Sequence, residues 1–335
     1  MGIAILGTGS YVPDSVLTSA ELGARLGVGE KWIIDKTRIR ERRVAAAGEA
    51  TSDMAAHAAR RAMAAAGVAA ADVDIVLVAT STPDQPMPAT ACAVQARIGA
   101  SRAAAFDLDA VCSGFLYALV TARGLLAMDD EARTALVIGA DTYSRILDYD
   151  DRRTAVLFGD GAGAVVLGKT ASGDGVLSTV LGSDGTKQDL VRIPAGGSRQ
   201  PASEATLAAG EHYFAMRGRE VRDLAARVLP DLVERVLKAA GLDLSDVDLL
   251  VPHQANGVML EDLADVLGLR PDQMHLTVAS LGNTGAASVP ITLDDAVRSG
   301  RIRDNDVVVL VAFGGGMTWG GAACRWTGGV PVLES

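Results

Sequence analysis

A cysteine, a histidine and an asparagine each stand where they could do chemistry. Cys112 lies in Phe106-Asp-Leu-Asp-Ala-Val-Cys112-Ser-Gly-Phe115, where a β-like run gives way to a long apolar helix. That pattern places a small thiol at a helix N-terminus, beside Gly114, which leaves room for a substrate. A helix N-terminus favours negative charge, so the thiol is expected to ionise below its usual ~8.5 and to act as a nucleophile. His253 ends an apolar strand in Val251-Pro-His253-Gln-Ala-Asn256, and Asn283 lies in Leu281-Gly-Asn283-Thr-Gly-Ala-Ala-Ser288, before a second helix start. Taken singly, each has a plain explanation: a small core residue, a strand end and a helix cap.

Taken together, Cys, His and Asn with no evident carboxylate partner suit thioester chemistry. A thiolate accepts an acyl group, and two neutral donors hold the oxygen of a second thioester as it becomes an enolate. Backbone N–H groups of Cys112 and of the Gly314-Gly315-Gly316 run could hold the other oxyanion, since glycine permits close approach. A hydrolase would instead use His as a base oriented by Asn or Asp, and the residues alone leave that open.

These residues must be positioned by a fold, and the totals bound it. A chain of 335 residues is long enough for about two domains. It is 49% hydrophobic but only 4% aromatic, so its core must be Ala, Val, Leu and Ile in closely packed helices and buried strands. A net charge of −10 argues against general nucleic-acid binding. Three widely spaced cysteines make neither a disulfide framework nor a metal cluster, which fits a reducing, cytoplasmic compartment and no metal. Met1-Gly-Ile-Ala-Ile-Leu-Gly7 reads as a first strand rather than a signal peptide, and no run is expected to approach the roughly 18 apolar residues of a membrane span. Gly7-Thr-Gly9 lacks the third glycine of a dinucleotide loop, and Pro13 interrupts the helix that loop requires. Gly159-Asp-Gly161-Ala-Gly163 lacks the Lys-Ser/Thr of a phosphate loop and reads as close packing.

The chain repeats itself. Met63-Ala-Ala-Ala-Gly67 with Asp72-Val-Asp74 and an apolar run recurs as Leu237-Lys-Ala-Ala-Gly241 with Asp246-Val-Asp248, at a spacing of 174 residues. In each copy the glycine closes a helix and the apolar run is a buried strand. The same spacing carries Cys112 into the Asn283 loop, so two helix starts should face a shared centre. The expectation is an α/β chain of two pseudo-symmetric halves, 1–170 carrying the cysteine and 171–335 carrying His and Asn. The strands should be covered on both faces, and the polar stretch 184–210 should be a surface excursion joining the halves.

At these residues the chain resembles the β-ketoacyl-[acyl-carrier-protein] synthase III family, of the thiolase-like fold. The resemblance runs over essentially the whole length. It includes Lys31-Trp32-Ile33 with Ile39-Arg40-Glu41-Arg42, Cys112-Ser-Gly-Phe115, Phe158-Gly-Asp-Gly-Ala-Gly-Ala164 and Pro194-Ala-Gly-Gly197. It continues in His253-Gln-Ala-Asn256, Gly282-Asn-Thr-Gly-Ala-Ala-Ser288 and Phe313-Gly-Gly-Gly316 with Thr318-Trp-Gly320. The resemblance implies a five-layered αβαβα homodimer. It implies acyl transfer from acyl-CoA, a substrate rather than a cofactor, to Cys112, followed by decarboxylative Claisen condensation with a malonyl thioester. The product would serve fatty-acid initiation or natural-product priming. His253 and Asn283 would hold the enolate, and the backbone amides of Cys112 and Gly315 the oxyanion.

The resemblance also implies CoA contacts at Trp32, Lys36, Arg152, Gly218 and Asn256. Lys36 stands where the family commonly has arginine, so charge is kept and bidentate geometry lost. Met87 takes the gate position that reaches across the dimer into the acyl pocket. One departure concerns the rim. Family positions for basic residues that dock an acidic carrier protein hold Val258, Asp265 and Asp223, and Glu261 and Asp262 lie beside them. An acidic rim disfavours an acidic carrier protein and leaves a CoA thioester or a small molecule as acceptor. An acyltransferase passing the Cys112-bound acyl group to a hydroxyl or amine, with His253 as base, is the alternative enzyme. A catalytically silent partner subunit is the third reading.

Overall fold

The computed structural model describes residues 2–171 and 174–327. Its frame is two sheets. The first is built from β1 (Gly2–Tyr11), β4 (Ile75–Ala79), β5 (Ala104–Leu108), β6 (Thr134–Asp141) and β7 (Gly161–Thr170), in the order β1-β7-β6-β4-β5. Between β1 and β4, a ribbon of β2 (Val16–Thr18) and β3 (Glu41–Arg43) accompanies helices α1 (Ser19–Leu26), α2 (Glu30–Thr37) and α3 (Thr51–Ala66). Helix α4 (Thr90–Ile98) precedes β5, and α5 (Gly114–Met128) leads to β6. The second sheet has β8 (Val176–Ser183), β11 (Leu249–Pro252), β12 (Val307–Gly314) and β13 (Thr318–Arg325), in the order β11-β12-β13-β8. Between β8 and β11 come the pair β9 (Val191–Arg192) and β10 (Ala215–Met216), α6 (Glu204–Ala208) and the long α7 (Gly218–Ala240). Helices α8 (Gly257–Leu267), α9 (Val278–Leu281) and α10 (Ser288–Arg298) follow β11.

Alternation along the strands sorts the core into layers. Leu77 and Val137 of the first sheet, with Val251 and Leu310 of the second, pack on Phe115, Leu119 and Leu293 of α5 and α10. The intervening Val76, Val78 and Ile138 pack outward on Met54, Ala58 and Ala62 of α3. Val309 and Val311 pack outward on Leu232 and Val236 of α7. The order is therefore helix, sheet, helix, sheet, helix. Helix α5 is largely buried through its first turns, from Gly114 to Ala122, and reaches the surface at its end, where Met128 is exposed. The segment Val111–Met128 reaches a mean hydropathy of 1.6 over 18 residues, contrary to the sequence-based expectation that no run would approach a membrane span. Its place between two sheets accounts for that composition.

The spacing of 174 residues reappears in the elements. The 3-10 turns Ala70–Asp72 and Leu244–Asp246 correspond, as do Val111–Ser113 and Gly285–Ala287. Parallel pairing of β4 with β6 is matched by that of β11 with β12, and an isolated parallel bridge of Leu250 to Met274 stands where β5 pairs with β4. Glycines in the strands let the layers approach. A Cβ at Gly9 would strike the backbone of α3 at Ala58 and Ala62, and one at Gly163 would strike Pro290 and Ile291 of α10. The glycines of Gly7-Thr-Gly9 and Gly161-Ala-Gly163 are thus packing residues inside strands.

Two expectations need correction. The stretch 184–210 lies between β8 and α7, within the second sheet's part of the chain, rather than joining the halves. It is also partly internal, since Leu190 and Ala195 are buried where it folds back over the site. Strand β5 is not covered on both faces: it is an edge strand whose Ala104 and Phe106 are exposed. The expected division after residue 170 falls at the end of β7.

Candidate active site

A cavity of about 600 Å³ opens where β11 and β12 end and where β5 leads into Cys112. Cys112, His253 and Asn283 all line it, so the structure brings together three residues from distant parts of the chain.

Cys112 sits in the turn Val111–Ser113 that starts α5. Val111 holds φ of +49°, a costly conformation for a β-branched residue, and its N–H donates to Asp109 Oδ1 at 2.9 Å. The turn is pinned from the second sheet. Ser113 Oγ meets Thr318 Oγ1 at 2.6 Å, and the Thr318 hydroxyl lies 3.0 Å from each of the Ala110 and Gly315 carbonyls, with its one O–H shared between them. A Cβ at Gly314 would meet the Cys112 and Ser113 nitrogens at 2.8 Å, so only glycine lets β12 come this close. Gly314 and Gly315 line the cavity wall next to the thiol.

The thiol is harder to ionise than usual, contrary to the expectation from its helix start. Burial pushes Cys112 up to about 12, and the Asp141 carboxylate adds to the rise. The hydroxyl of Tyr143, 4.0 Å from Sγ, pulls the other way. Desolvation outweighs the helix terminus here, and the resting cysteine is a thiol.

His253 follows β11, with its N–H donating to Val311 O at 2.8 Å. Its ring meets Phe313 edge-to-face at 5.6 Å. Nδ1 is buried without a hydrogen-bond partner among the described residues, so Nε2 is the nitrogen available to the cavity. Burial pushes the imidazole down to about 3, which keeps it neutral. Asn283 is fixed through its backbone, its N–H donating to Leu157 O at 2.9 Å and its carbonyl accepting from Gly159 at 3.0 Å. Its Oδ1 accepts the N–H of Gly285 at 2.9 Å, so the amide NH2 is the end left to serve a ligand.

The expected CoA contacts lie along the same cavity. Trp32, Lys36, Arg152, Gly218 and Asn256 all line it. The guanidinium of Arg152 stands 5.8 Å over the Trp32 ring. Asn256 is occupied elsewhere: its Oδ1 caps α8 through the Val258 N–H at 2.8 Å, and its Nδ2 donates to Lys36 O at 3.1 Å. It shapes the mouth more than it offers free polar atoms. At the rim, Arg38 pairs with Glu261 at 2.8 Å and Arg222 with Asp262 at 2.6 Å, both through α8. Lys36, Arg152 and Arg219 make no ion pair among the described residues. Asp223 and Asp265 are exposed. Met87 is 80% exposed and does not line the cavity.

Two residues escaped the sequence reading. Asp141, at the end of β6, is buried and accepts from the N–H groups of Ser81 at 2.9 Å and Ala286 at 2.7 Å. It thereby ties the end of β4 to the turn after Asn283. Burial pushes it up to about 6 despite these donors. Tyr143, two residues on, stacks on Phe158 at 4.4 Å and meets Phe214 edge-on at 5.6 Å. Asp141 closes a strand at its carboxyl end and Tyr143 follows it, as His253 follows β11, and that position was the available signal.

A site of this kind is that of an acyl-transferring condensing enzyme: one thiol, two neutral donors and close-packed backbone amides. The comparisons agree. The family model for 3-oxoacyl-[acyl-carrier-protein (ACP)] synthase III matches residues 106–185, and that for its C-terminal part matches residues 237–326. Acetoacetyl CoA synthase NphT7 of Streptomyces sp. (strain CL190) is 51% identical over 96% of this chain and 98% of its own. The β-ketoacyl-[acyl-carrier-protein] synthase III of Symbiobacterium thermophilum is 48% identical over 97% of this chain and 98% of its own. The solved β-ketoacyl-[acyl-carrier-protein] synthase III of Thermus thermophilus superposes with a TM-score of 0.90 at 42% identity, covering 97% of this chain and 99% of that one. The chain belongs to the 3-oxoacyl-[acyl-carrier-protein] synthase III family. Its reaction is the acyl-CoA-primed, decarboxylative condensation with a malonyl thioester.

Proposed function

We propose that this protein joins a short acyl group from acyl-CoA to a two-carbon unit from malonyl-CoA, releasing CO2 and a 3-oxoacyl-CoA. The observation that carries the residue assignment is the pairing of one buried thiol with two neutral donors in one cavity. Cys112 attacks the acyl-CoA carbonyl, the C–S bond to CoA breaks, and CoA leaves as its thiol with the cysteine proton. Malonyl-CoA then loses CO2. The electron pair of the broken C–C bond becomes an enolate, whose oxygen is held by Nε2–H of His253 and Nδ2–H of Asn283. The enolate carbon attacks the Cys112 thioester, the backbone amides of Cys112 and Gly315 hold the resulting oxyanion, and collapse breaks the C–S bond and expels the Cys112 thiolate, which regains its proton from solvent.

The neutral histidine favours this over transfer to an alcohol or amine. A general base works best with a pKa near the working pH, and a ring held at about 3 is a poor one. A short acyl group is supported by Tyr143, whose hydroxyl lies 4.0 Å from the sulfur and whose ring is packed against Phe158 and Phe214. CoA as the acceptor's carrier is supported by the name of the Streptomyces relative and by the rim, where carboxylates neutralise Arg38 and Arg222. Lys36, Arg152 and Arg219 are the cations placed to meet CoA phosphates, with Trp32 as a flat surface for adenine.

Our reading further assigns two halves, 1–170 and 171–335, a cytoplasmic homodimer, and Met87 as the residue each copy lends to its partner's acyl pocket. Exposure of Met87 and of the β5 edge supports that placement. The test is a comparison of acceptors. Steady-state kcat/KM should be higher with malonyl-CoA than with malonyl-carrier protein, and acetyl-CoA should prime better than octanoyl-CoA. Strict dependence on malonyl-carrier protein would reverse the first assignment, and preference for octanoyl-CoA the second.

A further inference from the structure

Tyr143 does more than fill space. Its Oη lies 4.0 Å from Cys112 Sγ and 3.2 Å from Ser81 Oγ. Ser81 Oγ in turn lies 3.2 Å from Asp141 Oδ1. That carboxylate also takes the hydroxyls of Thr80 at 3.1 Å and Thr82 at 2.9 Å. An ionised carboxylate only accepts, so Ser81 donates to Asp141 and turns a lone pair toward Tyr143. The phenol O–H therefore faces two acceptors, the Ser81 oxygen and the Cys112 sulfur.

We propose that Tyr143 is a further catalytic residue, a hydrogen-bond donor to the Cys112 sulfur whose O–H switches between Ser81 and Cys112 as the sulfur gains and loses charge. With the thiol, S–H donates to Oη and O–H to Ser81. When negative charge develops on the sulfur, during acylation and again when the product departs, the O–H turns to the sulfur. No proton crosses the phenol: the thiol proton leaves with CoA. The groups facing Cys112 make such a donor useful. Asp141 and Asp109 both oppose charge on the sulfur, and His253 is neutral. Burial holds Tyr143 well above the ordinary phenol value, so it keeps its proton and stays a donor.

The proposal rests on Cys112 being the acyl acceptor, but its test does not need turnover. Alkylation of Cys112 by iodoacetamide at pH 8, read by peptide mass spectrometry that separates it from the exposed Cys92, reports the thiolate population. Tyr143→Phe keeps the ring stack and removes only Oη. It should slow alkylation about tenfold, one pKa unit, because a hydrogen bond to a charged group is stronger than one to a neutral group. Ser81→Ala removes the competing acceptor and should speed alkylation severalfold. A packing role alone would move both variants in one direction or neither. An unchanged or faster Tyr143→Phe, or a slower Ser81→Ala, overturns the proposal, and Ser81→Ala decides it alone if Tyr143→Phe fails to fold. Failure of the Cys112 assignment would appear separately, as acyl label retained by Cys112→Ala.

Discussion

The side-chain oxygen of Asn283 accepts the backbone N–H of Gly285 at 2.9 Å, and this one bond decides which end of the amide serves the cavity. Asn283→Asp keeps the shape and the bond to Gly285 but replaces the free NH2 with a second oxygen. Malonyl decarboxylation should fall by roughly 10²–10³-fold, the cost of one lost oxyanion donor, while acylation of Cys112 persists. Release of CO2 and acyl-enzyme mass, measured on the same sample, separate the two steps.

Part of this site is legible in the sequence because it is local. The 174-residue repeat pairs the Cys112 turn with the turn after Asn283, and the two 3-10 turns stand at that spacing. The sign of the Cys112 shift is not local. A helix start can be read from neighbouring residues, whereas burial and the Asp141 charge arrive from another strand. Tyr143 and Asp141 were missed for the same reason: a Tyr and an Asp after a strand show no pattern until β4, β6 and the Asn283 turn are assembled. The 184–210 stretch looks like a linker because turn residues fill it, yet its Leu190 and Ala195 are buried.

His253 gives a pH prediction. Its folded-state value is about 3, below the ordinary ~6.5 of an unfolded chain. The unfolded state therefore binds the proton first as pH falls. The associated stability is complete above about pH 6.5 and is lost as pH falls toward 3. Urea unfolding of wild type against His253→Gln should show the variant less sensitive to pH across that window. The rate of malonyl decarboxylation should carry no histidine limb between pH 5 and 8.

Gly285 has a positive φ of +58°, and a Cβ there would strike the Asp141 carboxylate and the Tyr143 ring. Gly285→Ala combines backbone strain with overpacking, so it should cost about 2–4 kcal/mol by chemical denaturation. A change within 0.5 kcal/mol would mean that the turn relaxes freely.

Trp32 and Arg152 form the cation–π pair at the cavity mouth. Trp32→Ala should raise KM for acyl-CoA about tenfold by removing a base-stacking surface, with kcat unchanged. An acyl-pantetheine substrate, lacking adenine, should show no difference between the two proteins. An equal effect on both substrates would place Trp32 in folding rather than in nucleotide binding.

The rim can be rewritten. Val258→Arg with Asp265→Lys places positive charge on α8, which now carries Glu261 and Asp262. Activity with malonyl-carrier protein should rise and should weaken with added salt, whereas activity with malonyl-CoA should change little.

The central claim is that Cys112 carries an acyl group which a malonyl thioester removes with loss of CO2. Intact-protein mass spectrometry during sequential addition of acetyl-CoA and malonyl-CoA tests it most directly. The account predicts one acetyl adduct on wild type, none on Cys112→Ala, and discharge by malonyl-CoA with stoichiometric CO2 and 3-oxoacyl-CoA. An adduct that forms on Cys112→Ala, or one on wild type that malonyl-CoA leaves in place, would contradict it.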